Sequence, residues 1–175
     1  MFGDEFYMCR FQEPGVMEAE IESYGTKHVL QSIFTETRPG PLRLPKSEPF
    51  GPKDSSTLPP LPQWLTEDDL NYNVQKFNRK GFTGPLNDFF TKMVNWELTA
   101  PWTGIQIRVP VTYVVGDKDL VYTTPGAKTY IHGGGFKRDV PLLQQVVVLE
   151  GVAHFLNQEK PHKINEIILD FIKNF

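Results

Sequence analysis

Two stretches of this sequence end in residues that can do acid–base chemistry. VPVTYVV, from Val109 to Val115, is followed by Gly116-Asp117-Lys118-Asp119. QVVVL, from Gln145 to Leu149, is followed by Glu150-Gly151-Val152-Ala153-His154-Phe155. Both runs are nearly continuous and rich in β-branched residues, so each reads as a strand buried on both faces of a parallel sheet. In open α/β sheets, ligands bind beyond the carboxyl ends of the strands. If the two runs lie side by side, an Asp and a His emerge together at that edge. A carboxylate that accepts from one imidazole nitrogen fixes the tautomer and leaves the other nitrogen free to act as a base. By position alone, Asp117 and Asp119 both qualify as the acid. The chain order, acid before His, is that of the α/β-hydrolases.

The elements needed to position these groups are legible nearby. A helix is expected from Pro125 to Ile131, between the strands. Ile164, Ile167, Ile168, Phe171, Ile172 and Phe175 form an apolar stripe at helical spacing. Strand, helix, strand, helix implies a βαβα unit with right-handed crossovers. Two strands do not make a stable parallel sheet without neighbours on their edges and faces. A partner segment is therefore expected outside this sequence.

Residues 1–100 have a different texture from 101–175, and two divisions are expected at that boundary. Short helices are expected over Gly15 to Gly25 and Lys27 to Thr35. The stretch from Arg38 to Gln63 holds eight of the fifteen prolines. Proline fixes φ and removes a donor, so this stretch reads as a long loop that covers a site or wraps a surface. Thr66 is placed to cap a helix whose first turn carries Glu67, Asp68 and Asp69, and Gly81 to stop it. A further helix is expected from Gly84 to Asn95.

Composition sets outer limits. The chain has 175 residues, 39% hydrophobic and 22% charged, with a net charge of −3. That suits a packed core and gives no electrostatic reason to expect nucleic acid or an anionic membrane. Cys9 is the sole cysteine, so no disulfide forms within the chain. No apolar run reaches the roughly 20 residues that span a bilayer. The N-terminus does not read as a signal peptide. The expected setting is soluble and cytoplasmic, and the C-terminus carries no peroxisomal signal.

The longer words of the sequence are distinctive. FQEPG (Phe11 to Gly15), GFTGPLN (Gly81 to Asn87), NWELTAPWTG (Asn95 to Gly104), VGDKDL (Val115 to Leu120), DVPLL (Asp139 to Leu143) and EGVAHFLNQEKP (Glu150 to Pro161) resemble the plant soluble epoxide hydrolases. The resemblance spans nearly the whole chain. It implies an α/β fold: a helical lid over 1–100, then the last two parallel strands and helices of an α/β-hydrolase core, with the sheet incomplete.

The resemblance also implies a two-step reaction. An Asp on a nucleophile elbow attacks an epoxide carbon and forms an ester. Two lid tyrosines hydrogen-bond the epoxide oxygen, and a His oriented by an Asp activates the water that hydrolyses the ester. Matched residue by residue, His154 is the water-activating base and Asp119 its orienting acid, while Asp117 shapes the turn. Tyr7, four residues before Phe11, matches the first lid tyrosine. Phe89 stands where the second is expected, and it donates no hydrogen bond. Loss of one such donor costs about 3 kcal/mol of transition-state stabilisation. Phe89 and Phe155 are assigned to the substrate pocket.

No G-x-S-x-G or G-x-D-x-G elbow occurs in the sequence. The nucleophile and the earlier strands are expected on an upstream segment. The expected substrate is an apolar epoxide such as a fatty-acid epoxide, and the expected partner is that segment or a second copy of this chain. The competing expectation is an inactive truncated relative that binds ligands or oligomerises. A haloalkane dehalogenase-like enzyme would share the Asp nucleophile and His base, but Tyr7 and FQEPG favour the epoxide hydrolase. His132-Gly133-Gly134-Gly135 spells a lipase oxyanion motif, yet its place after a late helix marks it as a helix C-terminus. His28 and His162 lack partners at ligand spacing, so neither a metal nor any other cofactor is expected.

Overall fold

A computed structural model describes residues 3–174 of the chain. It divides into two compact units. One holds the residues up to Glu36 together with Leu42–Pro101, and the other holds Thr37–Pro41 together with the residues from Trp102 on.

The first unit is helical: α1 (Tyr7–Arg10), α2 (Val16–Tyr24), α3 (Thr26–Phe34), α4 (Glu67–Lys80), α5 (Thr83–Phe90) and α6 (Lys92–Thr99). Gly25, at φ 83°, ends α2 and turns the chain directly into α3. Helix α4 starts as its sequence dictates. The Thr66 hydroxyl accepts from the Asp69 backbone N–H at 3.1 Å, and the Asp69 carboxylate accepts from the Thr66 N–H at 3.1 Å. Gly81, at φ 72°, stops it.

The single helix expected over Gly84 to Asn95 is two helices, α5 and α6, which meet at Thr91. At Thr91 the hydroxyl donates to the Asn87 carbonyl at 2.9 Å, beside the Thr91 N–H, which donates to the same oxygen at 3.0 Å.

Met17, Ile21, Val29, Leu44, Phe50 and Leu86 form the core of this unit. Two of them, Leu44 and Phe50, come from the proline-rich segment. That segment carries one short 3-10 turn, Ser55–Thr57. Side chains of α3 fasten its backbone down: His28 Nε2 lies 3.0 Å from the Phe50 carbonyl oxygen, and Gln31 Nε2 donates to the Pro59 carbonyl at 2.9 Å. The loop wraps the helices and fills their core, which is why it stays ordered without regular structure.

The second unit runs β1 (Val111–Gly116), α7 (Ala127–His132), α8 (Gly135–Asp139), β2 (Leu143–Leu149), α9 (Leu156–Glu159) and α10 (Pro161–Ile172). β1 and β2 pair in parallel, from Thr112 opposite Gln145 to Gly116 opposite Leu149. They are the two strands among the described residues, and their carboxyl ends are level. One expectation fails: the strands are not buried on both faces. Val115 is 4% exposed, but Val148 is 38% exposed and most of the others are half-buried. Burial on both faces needs helices packed over further strands, and a two-stranded sheet leaves part of each face open. Helix α10 shows the same feature, with Ile164 buried and Ile168, Leu169 and Ile172 exposed.

Candidate active site

The register of the sheet brings both chemistry-bearing turns to one edge. After Gly116 the chain crosses under the turn that follows β2. Lys118 N–H donates to the Val152 carbonyl at 3.0 Å, and Asp117 N–H donates to the Leu149 carbonyl at 3.0 Å. This approach requires a glycine. A Cβ on Gly116 would collide with the Val152 carbonyl oxygen and stand 2.6 Å from that of Ala153. Asp117 turns away from the histidine, its Oδ1 accepting the Gly151 N–H at 2.8 Å. It ties the first turn to the second.

Asp119 is 5% exposed, and both its oxygens are engaged. Oδ1 accepts the N–H groups of Val121 at 2.7 Å and Tyr122 at 2.9 Å. Oδ2 lies 2.7 Å from His154 Nδ1. Two fixed backbone donors therefore set the carboxylate's rotation, and the second oxygen has a single direction to face. The geometry pairs His154 with Asp119 rather than Asp117, a choice that strand-end position alone left open.

Burial pushes the Asp119 carboxyl up. The His154 hydrogen bond and charge, with the two backbone N–H groups, outweigh it and hold the carboxyl below its ordinary value. The Asp119 hydrogen bond raises His154 above its ordinary value, burial opposes that, and the charges of Asp119 and Glu159 add to the rise. The His154 side chain keeps 48% of its exposure. Its Nε2 has no hydrogen-bond partner among the described residues. With Nδ1–H given to Asp119, Nε2 is the basic nitrogen, and it is open to water.

A residue not expected from sequence completes this turn. Glu159, at the end of α9, reaches back with both oxygens. Oε2 accepts the Ala153 N–H at 2.9 Å and Oε1 the Phe155 N–H at 3.1 Å. These are the residues on either side of His154. The available signal was an acid five residues after His154 in a helix that begins at Leu156, where a carboxylate can cap orphan N–H groups. The Phe155 ring stands edge-on to the imidazole, centroids 5.4 Å apart.

Tyr7 lies in the helical unit. Its ring meets Phe89 at 5.8 Å and Phe11 at 5.9 Å, both edge-to-face, and Phe11 meets Phe89 at 4.9 Å. Tyr7 and Phe89, matched separately from distant words, thus share one aromatic group. The HGGG run closes α7: Gly134 has φ 94°, and His132 Nε2 lies 2.9 Å from the Tyr122 hydroxyl. Among the described residues no cluster of His, Cys, Asp and Glu could hold a metal ion. No helix among them is long and apolar enough to cross a membrane.

No family model matches the chain. Individual proteins do. Epoxide hydrolase 2 of Siraitia grosvenorii is 51% identical over 175 residues, covering 100% of this chain and 55% of the relative. A solved structure of a Vigna radiata epoxide hydrolase mutant superposes with a TM-score of 0.94 at 52% identity, again over 100% of this chain and 55% of that one. The chain is a homologue of the plant epoxide hydrolases. Potato (Solanum tuberosum) epoxide hydrolase I agrees, with a TM-score of 0.90 at 49% identity and the same coverage. The likeness extends to epoxide hydrolase A of Mycobacterium tuberculosis, 30% identical over 179 residues, covering 98% of this chain and 53% of the relative. The chain thus spans about half the length of the relatives it matches, and its two-stranded α/β fold corresponds to the C-terminal part of their α/β-hydrolase structures.

Proposed function

We propose that this chain supplies the water-activating half of an epoxide hydrolase. His154 is the general base that hydrolyses an Asp-ester intermediate, Asp119 orients it, and Tyr7 donates to the epoxide oxygen. The attacking carboxylate comes from residues outside this sequence. The observation that carries the reading is the 2.7 Å contact between His154 Nδ1 and a buried Asp119 whose other oxygen is fixed by backbone donors. It leaves Nε2 exposed at the strand ends, as a base acting on water must be. The relatives are named epoxide hydrolases, which supports an epoxide substrate; the proposed class is an apolar epoxide, opened to a vicinal diol.

The test supplies the missing half in trans or in one polypeptide. The assembled protein should convert an apolar epoxide to its diol, and His154→Gln should abolish that conversion. An assembled, folded protein with no turnover across aryl and fatty-acid epoxides would count against the reading.

A second reading is that the chain acts without catalysis, as a self-associating protein. The exposed apolar residues of α10, Ile168, Leu169 and Ile172, favour it. It requires oligomers of the chain alone in sedimentation analysis, and a stable monomer would exclude it.

A further inference from the structure

The aromatic group around Phe89 contains a charge. Lys92, the first residue of α6, is half-buried. Its Nζ stands 4.8 Å from the centre of the Phe89 ring and 3.4 Å from Met8 Sδ. A ring face attracts an ammonium without taking up its N–H groups one by one, and a thioether sulfur is a weak acceptor. Among the described residues Lys92 forms no ion pair with a carboxylate. A cation with uncommitted donors therefore sits on the ring that Tyr7 also meets, next to Tyr7's own neighbour Met8. Phe89 occupies the position where a second hydroxyl donor is expected and has none to offer.

We propose that Lys92 is the second donor to the epoxide oxygen, in place of the hydroxyl that Phe89 lacks. The inference rests on the epoxide hydrolase reading. The attacking carboxylate forms a C–O ester bond as the ring C–O bond breaks. The electron pair of the broken bond moves to the ring oxygen, which accepts hydrogen bonds from the Tyr7 hydroxyl and the Lys92 ammonium. That oxygen then takes a proton from Lys92, and the neutral amine regains one from water. A full charge beside the developing alkoxide substitutes for a neutral phenol, and the Phe89 ring holds that charge in place.

Two experiments decide it. In the assembled hydrolase, Lys92→Met should slow ester formation in a single turnover by about 100-fold. Ester hydrolysis, which uses His154, should be nearly unchanged. Adding Phe89→Tyr to Lys92→Met should recover most of the loss by returning the phenol. Unchanged ring opening in Lys92→Met, or no recovery in the double variant, would overturn the proposal. The second experiment needs no turnover and uses this chain alone. Octanoate, an oxyanion on an apolar tail, should shift the NMR signals of the Lys92 side chain in a saturable way. Lys92→Met should weaken octanoate binding and Lys80→Met should not. Saturable binding that leaves Lys92 unshifted, or no binding at millimolar octanoate, overturns it even if the assembled hydrolase proves inactive.

Discussion

Asp119→Asn isolates the orienting acid from every other feature of the site. The asparagine carbonyl oxygen can keep the two backbone bonds from Val121 and Tyr122 at 2.7 and 2.9 Å. Its NH2 must then occupy the Oδ2 position, 2.7 Å from His154 Nδ1. Two donors cannot face each other, so Nδ1 must become the acceptor and the proton moves to Nε2. The nitrogen that faced water as a base now carries a hydrogen. Where such a tautomer switch has been made in a Ser-His-Asp triad, catalysis fell by about 10⁴-fold, or roughly 5.4 kcal/mol at 1.36 kcal/mol per decade. A similar loss is expected here in ester hydrolysis, with ring opening spared, so the covalent intermediate should accumulate in rapid-quench experiments. In the chain alone, the same substitution should lower the pKa of His154, seen by NMR, because its largest raising contribution is the Asp119 bond. Ester hydrolysis within threefold of the parent protein would refute the reasoning about the tautomer.

Other substitutions test how the turn is held. Glu159→Gln replaces one of two carboxylate acceptors with a donor, so either the Ala153 or the Phe155 N–H is left unpaired. A loss of about 1–3 kcal/mol in urea denaturation is expected, with faster hydrogen exchange at those two amides. Unchanged exchange would show that the clamp is idle. Gly116→Ala forces a Cβ against the Val152 carbonyl and should destabilise the chain by roughly 1–3 kcal/mol while broadening the His154 NMR signals. The ion pair predicts a pH dependence of stability. His154 is raised above 6.5, so its contribution is complete below that pH and is lost as pH rises through the folded value. Asp119 is lowered below 3.8, so its contribution is present above that pH and is lost as pH falls through the folded value. Urea midpoints measured against pH should fall on both flanks, and His154→Gln should remove the loss on the alkaline flank that the pair causes.

Legibility in the sequence tracked the length and regularity of each signal. Thr66, the acids behind it and Gly81 located α4 because caps act over a few residues and need no distant partner. The two strands were visible as β-branched runs, although their ends shifted by one or two residues. Their burial was overestimated, because a β-branched run records a preference and not how many neighbours cover it. Helices α1, α8 and α9 span four or five residues, too few to show a 3.6-residue period. Phe50 is drawn into the core by packing across a proline-rich loop, which leaves no periodic trace. At the candidate site, His154 and the two nearby aspartates were visible as strand-end residues. The pairing with Asp119 depends on which turn curls beneath which. Glu159 and Lys92 act through contacts that only folding creates.

The most direct test of the central claim is a mass measurement. His154→Gln chain, assembled with the half that carries the nucleophile, is mixed with excess epoxide and quenched. The nucleophile-bearing segment should gain the full mass of the epoxide and keep it, while the parent assembly releases diol and returns to its starting mass. Diol release by His154→Gln at the parent rate, with no adduct formed, would contradict the assignment of His154 as the base that hydrolyses the ester.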